Sequence, residues 1–157
     1  MPKMSLDQMD LKILAELQAD GRMTNQQLSE TVGLSPSPCL RRLRQLEEGG
    51  VIDRYVAIVD PASVGLSVTA FVRVRLDRQG DKHLAIFEDA VADFVEVMEC
   101  YLMSGDADYH LRVLVESLSA FENFLRFKLT TVPGVSQVTT SFGLRPVVYR
   151  TALPVPR

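Results

Sequence analysis

The sequence predicts an α+β protein with two domains, a helical domain followed by a mixed one. Two observations favour this class. Apolar residues recur at helical spacing through the first 50 residues, whereas from Ser67 they alternate with polar residues, and two amphipathic stretches interrupt the alternation. The stretch from Asp60 to Leu66, with a proline and a glycine, separates the two patterns. We therefore predict a helical domain over residues 1–50, a connector strand and linker over 51–66, and a second domain over 67–157.

The helical domain begins with an amphipathic stretch from Leu6 to Leu17, for which Ser5 is a candidate cap. Asp20, Gly21 and Arg22 form a turn that leads into the next helix. This gives three helices in about 45 residues, enough to close a small core that holds the third helix outward.

The stretch from Thr24 to Gly50 has the pattern of a helix-turn-helix. Thr24, followed three residues later by Gln27, predicts a capping box. Gly33 ends this helix because glycine adopts the left-handed conformation without strain. Ser35 and the proline after it suit the cap and the first position of the third helix, which the glycines at 49 and 50 end.

The third helix has leucines on one side and arginines on the other. Leu40, Leu43 and Leu46 are predicted to face the core, and no acidic residue occurs from Ser35 to Gln45. Arginine can contact phosphates or guanine edges in a DNA major groove. The alternative is a pair of surface helices with a solvated basic stripe. Candidate DNA-binding residues are Thr24, Ser35, Ser37, Pro38, Arg41, Arg42 and Arg44.

The overall charge of the chain does not favour nucleic-acid binding. The chain carries 17 Lys and Arg against 20 Asp and Glu, a formal net charge of −3. No global positive field draws it to DNA, so binding must rely on a local patch and a few phosphate contacts.

After the third helix, Val51 to Val59 is rich in β-branched residues and is predicted to be a strand, acting as a connector or wing. The second domain then reads βαββαβ, the order of a ferredoxin-like fold with two helices on one face of an antiparallel sheet. Apolar residues on both sides of the strands predict that a partner subunit covers one face. The predicted strands are Val68–Leu76, Val95–Met103, Tyr109–Val115 and Val135–Tyr149, with one helix through Leu84 and Phe94 and another capped by Ser119.

The two cysteines and two histidines do not form a metal site by spacing, and we expect no metal or cofactor. Cys39 and Cys100 are interpreted as small buried hydrophobes, with redox control through Cys39 as an alternative. His83 and His110 are interpreted as surface or strand positions. No stretch has the length and apolar content of a membrane span, and the start lacks an apolar signal core, so we expect a cytoplasmic protein.

Four stretches together resemble the leucine-responsive/asparagine-regulator (Lrp/AsnC) family: Asp20–Arg22, Val32–Ser35, Leu46–Ile52 and Leu102–Tyr109. The resemblance covers nearly the whole chain. It implies a transcriptional regulator, not an enzyme, whose winged helix-turn-helix binds double-stranded operator DNA and whose ferredoxin-like domain dimerises and assembles further, often into octamers. It also implies a small effector, commonly an amino acid, bound between dimers.

The resemblance places effector contacts in the loop Gly105–Asp108 and in the last strand around Thr139–Ser141. A zwitterionic amino acid needs an acceptor for its ammonium group, such as Asp106 or Asp108, and donors for its carboxylate. The alternative is turn chemistry, because Gly and Asp are favoured in hairpin loops. Candidate effector-binding residues are Met103, Ser104, Gly105, Asp106, Asp108, Tyr109, Thr139, Thr140 and Ser141.

Two other functions stay open at this point. One is an architectural DNA-binding protein without an effector, which an effector titration would distinguish. The other is a tetrapyrrole-binding enzyme like the sirohaem decarboxylases, which resemble this family, with His110 as the candidate residue. The arginine-bearing third helix favours regulation over catalysis.

Overall fold

The computed structural model describes residues 5–155, and three helices open the chain. Helix α1 spans Gln8–Ala19, α2 spans Asn25–Val32 and α3 spans Pro36–Glu48. The predicted capping box of α2 is confirmed: the Thr24 hydroxyl accepts from the Gln27 N–H, and the Gln27 side chain accepts from the Thr24 N–H. Gly33 ends α2 in the left-handed conformation, with φ 79°.

The cap predicted for α1 was wrong. Asp7, not Ser5, precedes the first helical residue, and its carboxylate accepts from the Met9 and Asp10 backbone N–H groups. The Asp10 carboxylate in turn accepts a hydrogen bond from the Asp7 backbone N–H. A pair of acidic residues three apart forms the same reciprocal box as Thr24 and Gln27, which a single serine at position 5 does not.

The core of the helical unit differs from the prediction in helical phase. Cys39, with 0% exposure, packs with Leu46, whereas Leu40 is only half-buried and lies outside the core. Residues 39, 43 and 46 share one side of α3, so the burial expected of Cys39 is confirmed, whereas the core position predicted for Leu40 is wrong. The buried side chains of this core are Ile13, Leu28, Val32, Cys39 and Leu46.

Residues 53–60 are not a strand, which corrects the predicted connector strand. Their β-branched composition favours extended backbone, but none of the described residues supplies a backbone ladder for them. Tyr55 instead donates its hydroxyl to Glu47 Oε1 of α3 at 3.0 Å. A short 3₁₀ helix, Ala62–Val64, follows.

The chain folds into two compact units, and their boundaries differ from those of the predicted domains. Among the described residues, the first unit runs to Ile58 and also includes residues 148–155, and the second is Val59–Val147. The tail joins the first unit because Gln18 of α1 holds Leu153 through its backbone N–H and carbonyl, at 2.6 and 3.2 Å.

The second unit confirms the ferredoxin-like βαββαβ order. Its elements are β1 Val68–Leu76, α4 Asp81–Ala92, β2 Val97–Leu102, β3 Tyr109–Val115, α5 Leu118–Phe127 and β4 Val135–Gly143. The sheet is antiparallel with strand order β2-β3-β1-β4. The predicted last strand was too long, since β4 ends six residues before Tyr149. The cap of α5 is Ser117, not Ser119, because the Ser117 hydroxyl accepts from the Ala120 N–H at 3.0 Å.

The two faces of the sheet have different chemistry. One face, the inner face, packs on α4 and α5 through side chains such as Val72, Val74, Leu111 and Phe87. The opposite face, which we call the outer face, carries the alternate residues of each strand, and on β1 these are Thr69, Phe71, Arg73 and Arg75. The alternation predicted for β1 is therefore confirmed. No helix among residues 5–155 has the length and apolar character needed to cross a membrane.

Candidate functional sites

The solvent-facing side of α3 forms a shallow depression of about 390 Å³. Arg41 and Arg44 are exposed there, one turn apart, and Ser37 lies one turn before Arg41. This stripe is opposite Cys39 and Leu46, because the core fixes which side of the helix is turned outward. We call it the α3 face; the residues that line it are Ser37, Leu40, Arg41, Arg44, Gln45 and Glu48.

Arg42 does not join the α3 face. Its guanidinium donates to Asp7 Oδ2 at 2.7 Å and to Asp10 Oδ1 at 2.8 Å, so it ties α3 to the start of α1. These bonds, the one to Asp10 first, raise the pKa of Arg42. The pKa of Asp7 is lowered, chiefly by the Asp10 backbone N–H and then by Arg42. Of the three predicted arginines, the structure brings together only Arg41 and Arg44 on one exposed surface.

The other predicted DNA-binding residues lie near the starts of α2 and α3. The Thr24 hydroxyl is occupied by the capping box, whereas Ser35 stands at the cap position of α3 without a side-chain bond. Pro38 is exposed. Sequence reasoning missed Asn25, whose amide donates to the Pro36 carbonyl at 3.0 Å and joins the two helix starts. Its position just after the capping residue was the available signal.

A second candidate site lies at the hairpin loop between β2 and β3. Gly105 has φ 150°, a conformation that side-chain-bearing residues rarely adopt, and Met103 and Ser104 are exposed before it. Arg75 donates its guanidinium to the Asp106 backbone carbonyl, with the Nε at 2.9 Å. The Asp106 carboxylate lies 3.4 Å from the guanidinium of Arg73.

Thr139 and Ser141 share the outer face with these groups. Thr139 pairs with Arg73 across the β1–β4 ladder, and Ser141 pairs with Phe71. On the outer face, Arg73 is therefore next to Thr139, its ladder partner, and also contacts the Asp106 carboxylate of the loop. Sequence reasoning missed Arg73 and Arg75, although the alternation of β1 had already placed both away from the core.

Three other predicted effector residues are arranged differently. Asp108 is 9% exposed, and its carboxylate accepts from the Leu76 backbone N–H and from the Gln79 amide, both at 2.7 Å. Tyr109 is 1% exposed on the inner face, where its hydroxyl donates to Glu88 Oε1 at 2.7 Å. Burial and this carboxylate raise the pKa of Tyr109. Thr140 pairs with Val72 and so also belongs to the inner face.

Cys100 is exposed, which corrects the interpretation that both cysteines are buried. It lines a cleft of about 360 Å³ between α4 and β2, with Glu88 and Tyr109. Although the residue is exposed, the cleft partly desolvates its thiol, and this desolvation and then the charge of Glu88 raise the pKa of Cys100 to about 11. Among residues 5–155, no group of three His, Cys, Asp or Glu side chains is placed to hold a metal ion. His110 is half-buried on the outer face, with its ring centroid 6.4 Å from that of Phe71.

A three-helix unit with an exposed arginine stripe, joined to a ferredoxin-like unit with a charged loop, defines a two-domain DNA-binding regulator. Comparison with known proteins agrees. Residues 6–53 match the winged helix-turn-helix DNA-binding family, and residues 69–153 match the Lrp/AsnC ligand binding domain. The chain belongs to the Lrp/AsnC family of transcriptional regulators.

Individual relatives match over almost their whole length. The Bkd operon transcriptional regulator of Pseudomonas aeruginosa is 44% identical over 96% of this chain and 98% of its own. The transcriptional activator DecR of Escherichia coli is 37% identical over 96% and 99%. A transcriptional regulator of Neisseria meningitidis, solved as a complex with L-Met, is 41% identical and covers 96% of this chain and 97% of its own with a TM-score of 0.91.

Proposed function

We propose that the α3 face binds double-stranded operator DNA and that the loop end of the outer face binds a free amino acid, which changes DNA binding. The observation that carries this proposal is the weak, exposed contact between Arg73 and Asp106 beside Thr139. Side-chain exposures of 49% and 81% leave both charges open to a ligand. The proposed protein is a cytoplasmic regulator without enzymatic activity.

The DNA part rests on Arg41 and Arg44. They provide two positive charges on the outward side of α3, in a chain whose overall charge is −3, so they form the local patch that binding requires. Ser37 and Pro38 lie at the N-terminal end of the same helix, where base contacts concentrate in helix-turn-helix proteins. Arg42 is left out because Asp7 and Asp10 already occupy its guanidinium.

The DNA part is tested by measuring operator affinity for Arg41→Ala and Arg44→Ala over a range of salt concentrations. Each arginine that contacts a phosphate is expected to weaken binding and to reduce the salt slope by about 1, whereas one that reads a base alters sequence preference. Arg126→Ala, which removes the same charge from α5, is the matched control and should leave affinity unchanged. Wild-type affinity in both α3 variants would place the DNA surface elsewhere.

The effector part follows from the chemistry of a zwitterion. Arg73 and Asp106 contact each other at 3.4 Å, which is longer than a strong charge-assisted bond. An amino acid can place its carboxylate on Arg73 and its ammonium group on Asp106, so that one weak contact is replaced by two. The Thr139 hydroxyl and the backbone around Ser104 and Gly105 supply further donors. The Neisseria relative, whose complex contains L-Met, supports an amino acid as the ligand class.

The effector part is tested by a thermal-shift screen of amino acids followed by calorimetry, because a ligand that binds only the folded state raises its stability. Arg73→Met and Asp106→Asn should abolish the shift given by the best amino acid, whereas Asp89→Asn on α4 should not. An amino acid that binds without changing the DNA footprint would favour the architectural alternative. Tight tetrapyrrole binding with a Soret band would favour the enzyme alternative and His110.

We also propose a homodimer that assembles to an octamer. Exposed apolar side chains support it, both on the outer face, where Phe71 and Tyr101 lie, and in the segments on either side of the second unit. Such surfaces are usually covered by a partner. Light scattering at low micromolar concentration tests the proposal, and a mass of one subunit would contradict it.

A further inference from the structure

Leu40 is an apolar side chain on the α3 face, and the core of the helical unit does not account for it. It lies beside Ser37, Arg41 and Arg44 in the depression, half-buried, while Leu43 and Leu46 pack on the core and Cys39 fills the position beside them. None of the described core side chains of the helical unit packs against Leu40, so the core does not explain an apolar residue at this position of a charged stripe. Its placement suits a surface that is covered when the protein works.

The chemistry of the major groove limits what Leu40 can recognise there. A leucine side chain neither donates nor accepts hydrogen bonds, so it distinguishes bases only by apolar contact. In the major groove the C5-methyl group of thymine is the apolar group that a base edge presents, whereas guanine, cytosine and adenine present donors and acceptors. The arginines on either side can contact phosphates or guanine and leave the apolar contact to Leu40.

We propose that Leu40 is a specificity-determining residue that packs on the C5-methyl group of a thymine in the operator. The inference rests on the proposed DNA-binding role of the α3 face. Leu40 is the fifth residue of α3, one turn from both Ser37 and Arg44, so it lies in the N-terminal half of the helix, where side chains reach base edges.

The test combines a protein change with a DNA change. An operator duplex is first selected from a randomised pool with the wild-type protein, and each thymine is then replaced in turn by deoxyuridine, which removes only the methyl group. Burial of one methyl group corresponds to about a fourfold change in affinity. We expect at least one thymine per half-site at which deoxyuridine weakens wild-type binding by about that factor, and at which Leu40→Ala binds the two duplexes equally.

Two further variants keep the test independent of folding and of the wider DNA proposal. Leu40→Met, which keeps an apolar contact, should retain sensitivity to the methyl group. Because Leu40 lies outside the core, Leu40→Ala should still fold, and its Tm and its affinity for the deoxyuridine duplexes separate a loss of folding from a loss of discrimination. The inference is overturned if the wild type discriminates against deoxyuridine at no position, or if Leu40→Ala discriminates as the wild type does. If Arg41→Ala and Arg44→Ala also leave affinity unchanged, the DNA-binding role of the α3 face fails as well.

Discussion

Replacing Asp108 with alanine should destabilise the second unit by removing an internal contact, although its sequence position suggests a ligand contact. Its two carboxylate oxygens accept from the Leu76 backbone N–H and from the Gln79 amide, both at 2.7 Å. The first bond closes the end of β1, where Leu76 is 4% exposed. Asp106, two residues earlier, carries an exposed carboxylate and is its natural comparison.

The expected loss of stability depends on which hydrogen-bond donor is left without an acceptor. Gln79 is exposed, so water replaces the carboxylate there at small cost. The Leu76 N–H is buried, and a buried donor left without an acceptor costs about 1–3 kcal/mol. We therefore expect Asp108→Ala to lower the free energy of unfolding by about 2 kcal/mol, which corresponds to a fall in Tm of roughly 8–16 °C for a unit of this size.

Thermal and urea unfolding of Asp108→Ala, Asp108→Asn and Asp106→Ala measure this expectation. Asp108→Asn keeps a carbonyl oxygen for the Leu76 N–H and should recover most of the stability, while Asp106→Ala should unfold like the wild type but lose the amino-acid response. If Asp108→Ala has wild-type stability and loses the response instead, Asp108 is a ligand contact and its internal bonds are unimportant.

Three other predictions concern charges and thiols. The pKa of the Asp7 carboxyl is lowered by the Asp10 N–H and by Arg42. The stability that this carboxylate contributes is therefore complete above its ordinary pKa of 3.8 and is lost as the pH falls through the lowered pKa. Acid unfolding of Arg42→Ala should accordingly show a smaller pH dependence than acid unfolding of the wild type. In the native protein a thiol reagent should label Cys100 slowly at neutral pH and faster toward pH 11. Cys39 is buried and should react only after unfolding, so native Cys100→Ala should not be labelled. Arg75→Ala should speed hydrogen exchange in the loop after β2, because Arg75 holds the Asp106 carbonyl, and Arg73→Ala should not.

Features set by neighbours along the chain could be predicted from the sequence. The capping box at Thr24, the glycine at 33 and the alternation of β1 each depend on a few consecutive residues, and the structure confirms all three. The burial of Leu40 was misjudged for the opposite reason. Cys39 and Leu40 are both apolar, and only the packing of α3 on Ile13 and Leu28 decides which one is buried.

The roles of individual charged residues could not be predicted, because their partners are distant in sequence. Arg42 meets Asp7 and Asp10 across 35 and 32 residues, so an arginine that sequence reasoning placed among the DNA-binding candidates joins α3 to the start of α1. Asp108 meets Leu76 across 32 residues. In both cases the sequence predicted a partner outside the protein, and the fold supplies a partner within the same unit.

The two arginines of β1 show how one pattern serves two roles at the proposed effector site. Arg75 holds the loop through the Asp106 backbone carbonyl, a contact that does not depend on the aspartate side chain. Arg73 contacts the Asp106 carboxylate itself, weakly and in solvent. The loop can therefore stay in place while its carboxylate exchanges one partner for another, because separate arginines carry the structural contact and the exchangeable one. Binding of an effector that bridges Arg73 and Asp106 therefore carries no entropy cost for ordering the loop. A small amino acid can thus bind a site that the fold has already formed.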